Sequence, residues 1–314
     1  MAWLEKSSEG ESAFGKGPDE RTVEELIKTS LIVVDKHAGP TSHQISQWMR
    51  EIFNVNKTAH SGTLDPMVTG VLPVALGNSV KMMPVFTGLV KEYVGVMHVH
   101  REIEEDKLKE AIKKFIGKII QTPPVKSAVA RRPREREIYS FDILEMDGKD
   151  VLFRVKCQAG TYIRKLVSDL GFSLEFGAHM TELRRTLAGN FKEEQSHSLL
   201  EIKDAYEFLK DGNESYLRKM LIPIENAVDH VKKVHVKDTA IPTILNGSPL
   251  YVNGLVKVQD EIVEGENVCI MSSKNELIAL GIAQMTSKGM YDKKKGIAVR
   301  TDRVIIDRSN PMPL

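Results

Sequence analysis

Cysteine is scarce: Cys157 and Cys269 are the only two in 314 residues, far apart and without a Cys-x-x-Cys or Cys/His ligand spacing. That pattern excludes a disulfide framework and a structural zinc, and it fits a reduced, intracellular protein. No apolar run approaches the roughly 20 residues that cross a bilayer. The opening residues are polar and glycine-containing, unlike a secretion signal. The expectation is a soluble, unsecreted, cytoplasmic protein with no membrane partner. Charge of one sign is also lacking, since 44 basic and 43 acidic side chains leave a net charge of +1. Charge count alone therefore does not point to nucleic acid. There is no internal repeat.

What is present is an ordinary globular composition, 41% apolar and 28% charged, with length for one large domain and a smaller one. Residues 1–30 read as an N-terminal extension. Its first 20 positions lack periodicity and carry Gly, Ser and charge, which makes a flexible segment unless something ties it down. A large domain is expected over 31–225, and a small second domain with a tail over 226–314.

The run Leu31–Val34 reads as a buried strand, followed by a Gly39-Pro40 turn and by Thr41-Ser42 capping a helix to Phe53. Residues 54–66 are polar and turn-rich, and Val71–Leu76 is a buried element. Tyr93, Gly95, Met97 and Val99 alternate as one face of a strand, and Leu108, Ile112, Phe115 and Ile116 mark a helix. Asp147-Gly148 predicts a hairpin between strands over 138–146 and 151–158. Thr161 is expected to cap a helix whose Ile163, Leu166, Val167 and Leu170 form one buried stripe, ending at Gly171. Cys157 lies on an apolar strand face, which implies packing and not thiol chemistry. Beyond Asn226, short β-like runs with frequent Gly and Asn predict a compact barrel or sandwich.

The chemistry-bearing residues lie in four motifs. His60-Ser61-Gly62-Thr63-Leu64-Asp65-Pro66-Met67-Val68-Thr69-Gly70 is the most distinctive. Lys36 with Gly39-Pro40-Thr41-Ser42 precedes it; Lys91-Glu92-Tyr93 and Gly160-Thr161-Tyr162-Ile163-Arg164 follow. Taken alone, Asp-Pro is ordinarily a turn, an arginine at a helix start a solvated charge, and a strand tyrosine a core aromatic. In this order the four segments resemble the motifs of the RNA pseudouridine synthases, over most of residues 31–190.

The resemblance implies an α+β catalytic domain with a mainly antiparallel central sheet, isomerising uridine in RNA without a cofactor or metal. It implies that Asp65 is the catalytic carboxylate, either attacking sugar or base covalently or taking a sugar proton after glycosidic cleavage. The freed uracil then rotates and rejoins through carbon. Arg164 would hold Asp65 ionised and oriented through a bidentate fork. Tyr93 would stack on the flipped base and relay the final proton. Lys36, His60 and Leu183 are expected around the substrate: Lys36 supporting the catalytic loop, His60 lining the base pocket or bonded to backbone, Leu183 packing near the base. His37 stands where the family commonly has proline. Arg131, Arg132 and Arg134 follow the family-like segment Gln121–Ala128 and are expected to face RNA phosphates. Ala130 departs there from a common lysine.

Residues from Lys232 to Asp307 resemble the PUA domain, a small RNA-binding β-barrel, through Asn246-Gly247-Ser248-Pro249-Leu250, Gly265-Glu266-Asn267-Val268 and Leu277–Ala283. Ser248 stands where alanine is usual, and Asn253-Gly254-Leu255 replaces Pro-Gly-Ile. Within the superfamily, the direct passage from Val99-His100-Arg101 to the helix near Glu105, and Gly177-Ala178-His179-Met180, are dyskerin-like. The absence of lysine-rich tails suits an archaeal member. That branch implies an H/ACA guide RNA, substrate RNA (ribosomal, or transfer RNA as a second class) and small accessory proteins as partners. The alternatives are a stand-alone transfer-RNA pseudouridine synthase and a non-catalytic RNA-binding scaffold. The intact Asp65, Tyr93 and Arg164 set argues against the scaffold.

Overall fold

The computed structural model describes residues 2–7, 14–123 and 130–306. Positions 124–128 of the family-like segment and Asp307 lie outside the described residues. The chain opens with β1 (Trp3–Glu5), followed by β2 (Ser30–Lys36), β3 (Thr58–His60), β4 (Thr69–Leu76), β5 (Lys91–Val99) and β6 (Gly117–Gln121). Next come β7 (Arg134–Asp147), β8 (Asp150–Cys157), β9 (Ala178–Ala188), β10 (Phe191–Lys192) and β11 (Ile222–Pro223). Strands β2 to β11 make one sheet in the order β11-β2-β4-β9-β5-β8-β7-β6, with β3 on β4 and β10 on β9. Its pairings are antiparallel except for β4 with β9, which is parallel at Thr69–Arg184 and Gly70–Arg185.

Local chemistry explains the main elements. The β5 sequence alternates, and so does its burial, because Lys91, Tyr93, Gly95, Met97 and Val99 face the core. The hairpin at Gly148 joins β7 to β8 with φ of +56° at the glycine. The helix Ser42–Phe53 begins at a Thr41/Gln44 capping box and ends at Asn54 in the left-handed region. The helix Ile163–Ser173 runs two residues past Gly171 and starts at Tyr162 without a side-chain cap. Thr161, expected as its cap, instead donates its hydroxyl to the Gln158 carbonyl at 2.7 Å and closes the preceding turn.

The remaining strands are β12 (Lys232–Val236), β13 (Leu250–Tyr251), β14 (Leu255–Gln259), β15 (Asn267–Met271), β16 (Leu277–Ala283) and β17 (Ile297–Val304). With β1 they form a second sheet, β1-β14-β12-β15-β16-β17-β13, wrapped as a half-barrel about its own apolar cluster of Val234, Leu255, Ile270, Ile278 and Val299.

The extension is tied down in two ways. β1 pairs with β14, where the Trp3 ring meets His235 edge-on at 5.1 Å and Lys257 lies 4.9 Å from the ring centroid. Arg21, buried, donates to Glu225 at 2.7 Å and to Glu276 at 3.1 Å, joining extension, first domain and half-barrel in one charged node. The half-barrel is also not separate in packing. Leu31, Val33, Phe86 and Ile224 share one buried cluster with Cys269, Met271, Leu277 and Leu280. No helix among the described residues is long and apolar enough to cross a membrane.

Candidate active site

Asp65 stands on the loop between β3 and β4, and that loop is held from below at nearly every step. Ser42, at the start of its helix, accepts from the Leu64 N–H at 2.8 Å and lies 3.1 Å from the Leu64 carbonyl. Lys36, fully buried at the end of β2, donates to the carbonyls of His37, Pro66 and Val68 at 2.8–2.9 Å. An ammonium has three N–H donors, and all three are committed. Lys36 therefore holds the loop from beneath, with its donors spent on backbone carbonyls. Burial lowers its pKa; the Asp65 charge raises it, and Arg185 lowers it further.

On this pinned loop the Asp65 side chain is itself two-thirds exposed, and Arg164 Nη2 lies 3.6 Å from its Oδ2. The pair expected from sequence is thus brought together, but as one long contact and not a bidentate fork. The Arg164 side chain is 65% exposed at the open start of its helix, and among the described residues no second partner fixes the guanidinium plane. An exposed pair of this kind contributes about 0–1 kcal/mol to folding.

Tyr93 and Leu183 come together beside Asp65. Both are 9% exposed and share one apolar cluster with Leu64, Val68 and Ile163, the residues flanking Asp65 and Arg164 in sequence. Gly95 lets this wall form, because a Cβ there would lie 2.7 Å from the Glu182 carbonyl oxygen and 2.8 Å from Leu183. Burial raises the Tyr93 phenol pKa; Arg185 opposes this by charge and a hydrogen bond, and Asp65 adds to it. His60, half-buried on β3, has Nδ1 3.3 Å from the Ser46 hydroxyl and Nε2 3.4 Å from that of Thr63. Burial lowers its pKa, with His43 and Arg185 adding. It braces the loop from both ring nitrogens.

Arg131 and Arg132 are exposed, and Arg134 is half-buried at the start of β7. Cys157 is buried, and burial pushes its thiol up to about 11, consistent with packing. Two buried cations near the loop escaped the sequence reading. Arg185, on β9 one strand from Tyr93, donates from Nε to the Val71 carbonyl at 2.7 Å and from Nη2 to the Gly62 carbonyl at 2.9 Å. Lys91 donates to the Leu89 carbonyl at 3.0 Å, and burial together with Arg185 lowers its pKa to about 8. One signal could have exposed Arg185: it sits two positions after Leu183 on the same strand, and so on the same buried face.

An exposed carboxylate on a densely hydrogen-bonded loop, an exposed guanidinium beside it and an apolar wall with a buried phenol suit chemistry on a flipped-out base. Comparison with known proteins agrees. The model of the TruB family pseudouridylate synthase N-terminal domain matches residues 50–106 and 98–163, and that of the tRNA pseudouridylate synthase B C-terminal domain matches 164–229. The PUA domain matches 232–305, and the DKCLD domain matches 2–46. The chain is 48% identical over 305 residues to a probable tRNA pseudouridine synthase B of Nanoarchaeum equitans, covering 97% of this chain and 87% of the relative. It is 48% identical to the corresponding Methanocaldococcus jannaschii protein, covering 94% and 88%. Among solved structures it resembles a chain of a Cbf5-Nop10-Gar1 complex, with TM-score 0.91, 46% identity and coverage of 98% and 94%. It also resembles one of an H/ACA RNP bound to a substrate RNA containing 2′-deoxyuridine, with TM-score 0.90, 44% identity and coverage of 98% and 95%. The chain belongs to the TruB family of pseudouridine synthases, which isomerise uridine in RNA.

Proposed function

We propose that this enzyme is the catalytic subunit of a guide-RNA-directed H/ACA particle, acting through Asp65. The observation that carries the guide-directed reading is similarity over 98% of the chain, extension and PUA domain included, to the chains described in H/ACA and Cbf5-Nop10-Gar1 structures. The partners are then an H/ACA guide RNA, a substrate RNA and small accessory proteins of the Nop10 and Gar1 kind, working in the cytoplasm. The domain reading that goes with it is an extension over 1–30, a catalytic domain over 31–225 and an RNA-anchoring PUA domain with tail over 226–314.

In this reading Asp65 acts on the target uridine at sugar or base, Arg164 orients the carboxylate, and Tyr93 and Leu183 hold the extruded base. His60 braces the loop beside the base, while Arg131, Arg132 and Arg134 meet phosphates. No cofactor is required, because isomerisation only exchanges a C–N for a C–C glycosidic bond.

The relatives named as tRNA pseudouridine synthase B favour a second reading, a stand-alone enzyme on transfer RNA. Reconstitution with and without guide RNA, scored for pseudouridine, separates them. The guide-directed reading predicts product at the guide-selected uridine only when guide is present. Full modification of transfer RNA by the chain alone would overturn it in favour of the second. No product under either condition would leave the RNA-binding scaffold.

A further inference from the structure

Arg185 is a costly side chain to place where it is. It is 1% exposed, and withdrawing a guanidinium from water costs several kcal/mol unless it is well paired. The other deeply buried arginine, Arg21, is paired with the carboxylates of Glu225 and Glu276. Among the described residues, no carboxylate lies within ion-pairing distance of Arg185. Its donors go instead to the Gly62 and Val71 carbonyls, and Arg185 stands opposite Tyr93 in the register of β9 with β5. Gly62 lies at the start of the loop that carries Asp65, and Val71 lies in β4 just past its end.

The loop is built close against this residue, side chain and backbone alike. A Cβ on Gly62 would lie 3.2 Å from Arg185 Nη1, and a Cβ on Gly70 would lie 2.2 Å from the Arg185 carbonyl oxygen. Gly70 has φ of +98° and pairs in parallel with Arg185. The loop thus leaves and re-enters the sheet against the same residue.

We propose that Arg185 is the positioning residue of the isomerisation, tying the Asp65 loop and the strand it re-enters to the strand that faces Tyr93. This rests on the reading of Asp65 and Tyr93 as site residues. Arg185 itself, shielded behind Tyr93 and the loop, acts through them and not on RNA.

The test uses the full chain, reconstituted with guide and substrate RNA, and follows single-turnover pseudouridine formation, RNA affinity and thermal stability. Arg185→Met, Arg185→Lys, Tyr93→Phe and both double variants are compared. Because misplacement of a reacting group by about 1 Å can cost about 100-fold in rate, Arg185→Met should lose about that much at saturating RNA, with RNA affinity unchanged. Arg185→Lys, which restores the charge but not the two-pronged fork, should recover part of the rate. In the Tyr93→Phe background the effect of Arg185→Met should shrink, since the two residues face each other across β9 and β5 and perturb one site.

A folded Arg185→Met or Arg185→Lys enzyme with wild-type rate would overturn the proposal. So would a loss that multiplies undiminished onto Tyr93→Phe, or one confined to RNA affinity. If Met unfolds the chain, the Lys variant carries the same comparison. Asp65→Asn serves as the control: wild-type turnover there means that the underlying reading of the site has failed, whatever Arg185 does.

Discussion

Arg164 and Arg185 show how differently two arginines can serve one carboxylate. Arg164 is exposed and meets Asp65 at a single long contact, so removing it strands nothing in the interior. Arg164→Ala should cost most of the turnover while shifting the melting temperature little, because an exposed pair is worth about 0–1 kcal/mol. Arg164→Lys should restore turnover only in part, since an ammonium lacks the planar fork. Parallel turnover and melting measurements check this; a large stability loss in Arg164→Ala would mean that the residue holds the fold and not the carboxylate. Asp65, Arg164 and Tyr93 could be picked out from the sequence because each lies in a distinctive motif. Arg185 was not, because Arg184-Arg185 looks like a solvated pair and only the strand alternation distinguishes the two. In the structure Arg184 bridges Asp35 and Glu193 at half-exposure, while Arg185 turns inward.

Among elements, long alternating strands and capped helices were readable, and short or context-held ones were not. β5 and the β7–β8 hairpin follow directly from period-two patterning and from Gly148. β1 has three residues, too few to show a period, and it becomes a strand because the β14 edge accepts it. Its anchor has a pH signature. His235 is buried against Trp3, with Nδ1 2.9 Å from the Ser272 carbonyl, and burial lowers its pKa to about 4, with Lys257 adding. An unfolded histidine titrates near 6.5, so between these values the unfolded chain binds the additional proton. Stability from this group is full above about 6.5 and is lost as pH falls toward 4. In a Trp48→Phe background, Trp3 fluorescence should report loosening of β1 across that window, and His235→Asn should abolish the titration. An unchanged titration in His235→Asn would assign it to another group.

At the scale of the whole molecule, the sequence indicated two domains from the change of texture near Asn226 but not how they dock. Contacts between Leu31 or Phe86 and Leu277 or Leu280 join positions some two hundred residues apart and leave no local pattern. Deleting residues 232–314 would uncover that cluster and strand Arg21 with one of its two carboxylates lost. The truncated chain should therefore melt at a clearly lower temperature than the intact one, as well as losing salt-sensitive guide affinity. Equal melting temperatures would show that the catalytic sheet does not depend on the half-barrel. Above these dependencies stands the carboxylate that the loop, its cations and the apolar wall are arranged to present. The most direct measurement is single-turnover pseudouridine formation by Asp65→Asn in the reconstituted particle, with RNA affinity and melting temperature determined on the same sample. Abolished isomerisation with intact binding and stability is the predicted result; an Asp65→Asn enzyme that still turns uridine into pseudouridine at the wild-type rate would contradict it.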